Sequence, residues 1–203
     1  MKKIFFSILV LFFTIASTTV AAEFSADEFA MMGGNIGGKI YYKNSSIHRN
    51  ESMGMIRIIK LPLIYQLFTN TKKYTVSNIN DLANKNPMDN VSFDDMIKKN
   101  NMKKMGTATI QRFKCDIYEG NIKANKNQPP MHMKIWYSKK LEYAIKTSMT
   151  LPAPMGTVSS HLENIKIGRQ LDNLFKIPPG YSKVKSIEEA MGMGNMQMRM
   201  GPK

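Results

Sequence analysis

Three scarcities bound what this 203-residue chain can be. Cysteine occurs once, at Cys115, so no internal disulfide can form and stability has to come from packing. Acidic residues number 15 against 29 lysines and arginines, a formal charge of +14. Long apolar runs are missing apart from Ile4 to Ile15, which at about 12 residues is short of the roughly 20 needed to cross a bilayer. Enzyme signatures are missing too. No HExxH, CxxC, GxSxG or phosphate-loop pattern occurs, and His48, His132 and His161 show no paired helix spacing. The expectation is a protein that is not an enzyme and uses no cofactor.

What is present speaks first of export. Lys2 and Lys3 open the chain with positive charge, Ile4 to Ile15 is apolar, and Val20-Ala21-Ala22 supplies small residues for a signal peptidase. The reading is a signal peptide over 1–22 and a mature chain from Glu23, resident in the periplasm and without a transmembrane segment. No cysteine lies near the cut to carry a lipid. Losing Lys2 and Lys3 lowers the formal charge from +14 to +12. Inside a cell that excess points to nucleic acid. Outside the cytoplasm the available anions are lipid headgroups, lipopolysaccharide and acidic polymers, so nucleic acid is not expected and anionic envelope components are. The scatter of Lys39, Lys72, Lys114, Lys134 and Lys166 also suits an ordinary solvated surface.

Along the mature chain, alternation with period two outweighs helical spacing, which predicts a mainly antiparallel sheet with few helices. Strands are predicted over Ile36 to Lys43, Met53 to Ile59, Leu63 to Phe68 and Lys72 to Val76. A long run from Thr107 to Glu119 sets Phe113, Cys115 and Ile117 opposite Lys114 and Asp116, marking Cys115 as a buried small hydrophobe. Met131 to Ser138 and Leu141 to Met149 alternate cleanly around a hairpin-length link. From Val158 to Ile167 the apolar phase slips, predicting a bulge near Glu163. One helix is predicted over Phe93 to Lys104, with Ser92 as cap and Phe93, Met96 and Ile97 as its apolar stripe. A short second helix is expected after Ser186, with Glu189 completing a capping box. The stretches 78–90 and 124–130 read as loops. The domain plan is therefore one β domain over 23–190 and a Met- and Gly-rich tail over 191–203.

The order of these elements resembles a family of exported bacterial proteins built on a domain of unknown function, itself similar to periplasmic lipoprotein carriers of the LolA type. The stretches that carry the resemblance are Phe24-Ser25-Ala26-Asp27, then Met105-Gly106-Thr107 leading to Phe113-Lys114-Cys115. Ile135-Trp136-Tyr137-Ser138-Lys139-Lys140-Leu141 and Leu174-Phe175-Lys176-Ile177-Pro178-Pro179-Gly180-Tyr181 follow. The resemblance implies a curved, incomplete antiparallel β-barrel, with a helix covering its concave face around an apolar cavity. Export without a membrane anchor, alternating strands with apolar faces and one thin amphipathic helix point to a carrier that shelters a lipid or acyl chain. Candidate cavity walls are Met53, Met55, Phe113, Met133, Ile135, Tyr137 and Tyr143. Arg57 shares a strand face with Met53 and Met55, so a cavity there has to satisfy or expose a charge.

Methionine is the other unusual abundance, with 18 in the chain. Met191, Met193, Met196, Met198 and Met200 crowd the tail, where thioethers could wrap a soft ion such as Cu(I). Elsewhere methionine fills irregular apolar gaps and lines adaptable binding surfaces, so Met53, Met55, Met131 and Met133 read as core or cavity wall.

Overall fold

Alternation turns one side of each strand toward a core, and tight turns set consecutive strands side by side. The computed structural model, which describes residues 22–31, 35–43, 47–52, 54–60, 62–78, 93–122, 129–154 and 156–192, shows the result as one twelve-stranded sheet. The first half comprises β1 (Phe24–Met31), β2 (Asn35–Lys43), β3 (Ile47–Ser52), β4 (Met55–Lys60), β5 (Leu63–Phe68) and β6 (Lys73–Asn78). Helix α1 (Phe93–Lys99) precedes β7 (Lys103–Ile110), β8 (Phe113–Ile122), β9 (Met131–Ser138), β10 (Tyr143–Thr150) and β11 (Thr157–Ile167). A 3-10 turn (Asp172–Phe175), β12 (Ser182–Lys183) and α2 (Ile187–Ala190) follow.

The strand order is β12-β6-β5-β4-β3-β2-β1-β11-β10-β9-β8-β7. Two antiparallel meanders are thus joined where β1 meets β11, and β12 adds to β6 in parallel. The end strands β12 and β7 do not pair, so the sheet stays open. It curls nonetheless. At the tip of the β7–β8 hairpin, the Gln111 side chain donates to the Leu162 carbonyl at 2.8 Å and Arg112 Nη2 donates to the Ile165 carbonyl at 3.1 Å. A flat sheet would hold β8 and β11 three spacings apart, about 14 Å.

Five details depart from the sequence reading or complete it. The run from Thr107 to Glu119 is two strands, because Gln111 and Arg112 both take left-handed backbone (φ 44° and 65°) and make a two-residue hairpin turn without glycine. The helix stops at Lys99 rather than Lys104. Asn101 turns left-handed (φ 48°), the Met102 N–H returns to the Ile97 carbonyl at 3.0 Å, and Lys103 and Lys104 open β7 instead. The run from Leu141 to Met149 is not one even face, since a register shift between Ala144 and Lys146 breaks the β9–β10 ladder. In β11 one extra residue does sit beside Glu163. Ser25 pairs with Lys166 but Asp27 with Glu163, and Asn164 is left-handed at φ 51°. The α2 cap also forms, the Glu189 N–H donating to the Ser186 hydroxyl at 3.2 Å. The signal segment 1–21, the residue Ser92, most of both predicted loops and the tail from Met193 lie outside the described residues.

Apolar burial is divided among three clusters instead of one pool. The first joins Phe24, Ile40, Tyr42, Phe113, Cys115 and Ile145, among others. The second joins Ile56, Ile58, Leu67 and Phe175, and the third Met102, Ile122, Met133 and Ile135. Two strands serve two clusters each by alternation. In β2, Ile40 and Tyr42 enter the first while Tyr41 packs on the second; in β8, Phe113 and Cys115 enter the first while Tyr118 and Ile122 join the third. The sheet is therefore covered on both faces. Each fully buried Ile, Leu or Phe contributes about 1.5–3 kcal/mol, so the load is shared across the sheet. Lys43 ties the C-terminal segment down, reaching Asp172 Oδ1 at 2.6 Å and the Gln170 carbonyl at 3.3 Å.

Candidate functional site

Helix α1 is amphipathic but short, and none of its residues is buried. Its apolar stripe, Phe93, Met96 and Ile97, rests on the third cluster. The Phe93 ring stacks on Tyr137 with centroids 3.7 Å apart and planes 4° from parallel, and meets Tyr118 edge-on at 5.3 Å. Beside this contact lies a cavity of about 270 Å³. Phe93 and Met96 line it from the helix, Tyr137, Tyr143, Ala144 and Thr147 from β9 and β10, and Ser160 and Leu162 from β11. Glu28, Glu142 and His161 line it as well. Burial, reinforced by the Glu142 carboxylate, pushes the Tyr137 hydroxyl up to about 12. Burial first and Glu28 second raise Tyr143 as well. Both phenols therefore stay neutral across ordinary pH. The lining mixes aromatic and aliphatic side chains with Glu28, Glu142, Thr147, Ser160 and His161, a composition suited to an apolar body with a polar end.

The sequence candidates separate around this cavity. Tyr137 and Tyr143 line it. Met133 and Ile135 do not line it but are buried in the third cluster, 8% and 1% exposed, and Phe113 is packed in the first. Met55 is elsewhere. On β4 the buried residues are Ile56 and Ile58, whereas Arg57 is exposed and Met55 half-buried on the alternate side. The charge that threatened an apolar cavity is thus in solvent. Met55 instead lines a separate pocket of about 300 Å³ with Phe68, Thr71 and Met191, where α2 docks through Thr71 Oγ1 donating to the Ala190 carbonyl at 2.5 Å. Met53, Met193, Met196, Met198 and Met200 lie outside the described residues.

Sequence reasoning missed a larger cleft, of about 460 Å³, floored by Ser25, Asp27, Lys39 and Tyr41 and walled by Arg112, Asn164 and Lys166. Two of its lysines looked like scattered surface charge. What gathers them is the β11 bulge and the curl of the β7–β8 hairpin, and only the phase slip near Glu163 hinted at either.

No family model matches the chain, and no curated protein does. Among solved structures, an uncharacterised conserved protein of Thermus thermophilus overlays with a TM-score of 0.56 at 10% identity, covering 82% of this chain and 91% of that one. The lipoprotein LppX of Mycobacterium tuberculosis overlays at 0.45 and 13% identity, covering 73% and 89%. A domain assigned to outer membrane lipoprotein sorting in Vibrio parahaemolyticus overlays at 0.37 and 11%, covering 76% and 89%. At such identities the likeness is one of fold. What the overlay with the Thermus protein shows is a shared open, antiparallel sheet. Among the described residues no helix is long and apolar enough to cross a membrane.

Proposed function

We propose that this protein is a non-enzymatic, exported binding protein that shelters an acyl chain or similar apolar group between the sheet and α1, with α1 as a lid over the concave face. The observation that carries the reading is how α1 is attached. It buries no residue of its own, yet Phe93, Met96 and Ile97 screen Tyr118, Met133, Ile135 and Tyr137 from water. The cavity beside it, about 270 Å³, falls at the lower edge of the roughly 300–1,000 Å³ typical of ligand pockets. A long chain therefore enters by displacing Phe93 from Tyr137, and the third cluster becomes the wall of the site. The signal-peptide pattern of residues 1–22 and the LolA-like fold support an envelope location for such a carrier. Native mass spectrometry of gently purified protein should show co-purified lipid, and a fluorescent fatty acid should bind and be displaced by unlabelled acyl chains. Empty preparations together with no binding of the probe would overturn the reading.

A second reading rests on the pocket that brings Met55 and Met191 together. Two thioethers at one site, at the start of a segment holding four further methionines, form a soft donor set suited to Cu(I). Anaerobic competition titration should give weaker Cu(I) affinity for a chain ending at Ala190 than for the full one. Equal affinities would remove it.

A further inference from the structure

The face of β1 and β2 turned away from Phe24, Ile40 and Tyr42 pairs Ser25 with Tyr41 and Asp27 with Lys39. Over these four residues lies the 460 Å³ cleft, on the opposite side of β1 from the cavity under α1. Three cations, Lys39, Arg112 and Lys166, border it against one carboxylate, Asp27. That carboxylate is already engaged, by Asn164 Nδ2 at 2.8 Å and by Lys39 at 3.8 Å. Among the described residues, neither Arg112 nor Lys166 forms an ion pair. Arg112 and Lys166 therefore leave a local excess of positive charge at the cleft, which attracts an anion.

The arginine is also positioned. Its Nη2 donates to the Ile165 carbonyl at 3.1 Å, in the strand segment displaced by the Asn164 bulge, and its guanidinium lies 5.8 Å from the centre of the Phe113 ring. A guanidinium carries five N–H donors, so a fork remains for an oxyanion after one is used. Fixing the side chain in advance lowers the ordering cost of binding. The geometry points to a binding site for a phosphate-bearing ligand, with Arg112 as the fork, Lys39 and Lys166 as flanking charges, and Tyr41 and Ser25 lining the floor beside the phosphate. The volume admits more than a bare ion, so the phosphate is the end group of a larger molecule, either a soluble phosphate ester or a lipid headgroup.

Isothermal titration with glycerol 3-phosphate tests the soluble source, and co-sedimentation with phosphatidylglycerol/phosphatidylcholine vesicles tests the lipid. Both use the full chain, Lys166→Glu, Arg112→Lys and Lys183→Glu. Lys183 lies on β12, remote from the cleft in strand order, and gives the same change in net charge as Lys166→Glu. The expected result is a loss of about tenfold in affinity for Lys166→Glu and for Arg112→Lys, against less than twofold for Lys183→Glu. Binding of glycerol 3-phosphate with that pattern assigns a soluble ester. The same pattern on vesicles alone assigns a headgroup. Equal losses in Lys166→Glu and Lys183→Glu, or no binding in either arm, overturn the site. If Arg112→Lys unfolds, the two lysine variants still decide it.

Discussion

Phe93 and Tyr137 stack face to face, 3.7 Å between ring centres and 4° from parallel, and this pair latches α1 to the sheet. Aromatic pairs contribute about 0.5–1.5 kcal/mol beyond their area burial. Phe93→Ala should therefore lower stability by about 1–3 kcal/mol in a urea melt. If an entering chain has to displace this ring, the same substitution should tighten binding of a fluorescent fatty acid, because the protein no longer fills its own site. Loss of stability with unchanged or weaker binding would make α1 a structural element and not a lid.

Much of the sheet was legible because alternation is a local signal. Leu63 to Phe68 and Met131 to Ser138 emerge as read, and the phase slip before Ile165 marks a real bulge. Two of the misreadings share one physical cause, which is left-handed backbone at residues other than glycine. Gln111, Arg112 and Asn101 make the turns that split a predicted strand and shorten a predicted helix. Tertiary contacts hold the first of these turns, where Gln111 and Arg112 are pinned by carbonyls of β11, more than 50 residues away. The candidate site was partly legible for the same reason. Tyr137 and Tyr143 could be assigned to an apolar face, but the cleft of Lys39, Arg112 and Lys166 exists only once the sheet curls.

Acid sensitivity should trace to Asp116. This carboxylate is buried at the β8–β9 ladder, with Lys104 Nζ at 2.8 Å from one oxygen and Lys139 Nζ at 3.4 Å from the other. The hydrogen bond from Lys104, helped by both positive charges, holds it below the usual carboxylate range. A carboxyl group depressed in the folded state stabilises the fold above its unfolded value of about 3.9, and that contribution is lost as pH falls through the folded value. Asp116→Asn should be less stable than the parent at pH 7 and should flatten the acid limb below about pH 4. An unchanged acid limb would assign the sensitivity to other carboxylates.

Gly120 is required for a close approach and not for its backbone angle. A Cβ there would sit 2.8 Å from Cγ of Met102 and 3.1 Å from its Cα. Met102 is 7% exposed, in the link that leaves α1 for β7, so the helix seat has to shift to admit a methyl group. Gly120→Ala should cost about 1–3 kcal/mol, the usual range for overpacking. Hydrogen exchange should rise first in the amides of Asn100, Asn101 and Met102, which close the end of α1. Uniform acceleration over the whole sheet would place the strain elsewhere.

Cys115 is fully buried in the first cluster, its thiol donating weakly to the Phe113 carbonyl at 3.5 Å. Burial first, with Asp116 adding to it, raises its pKa above the ordinary thiol value. Reaction requires both a thiolate and a path to it, and both are scarce here. Iodoacetamide at pH 8 should label the native protein at the rate at which the β8 region opens, far below the rate in 8 M urea. Cys115→Ala should cost about 1 kcal/mol through a small cavity, whereas Cys115→Ser should cost more by burying a hydroxyl. Rapid native labelling, or a serine variant as stable as the alanine one, would show that the curl of β8 leaves this thiol open to solvent.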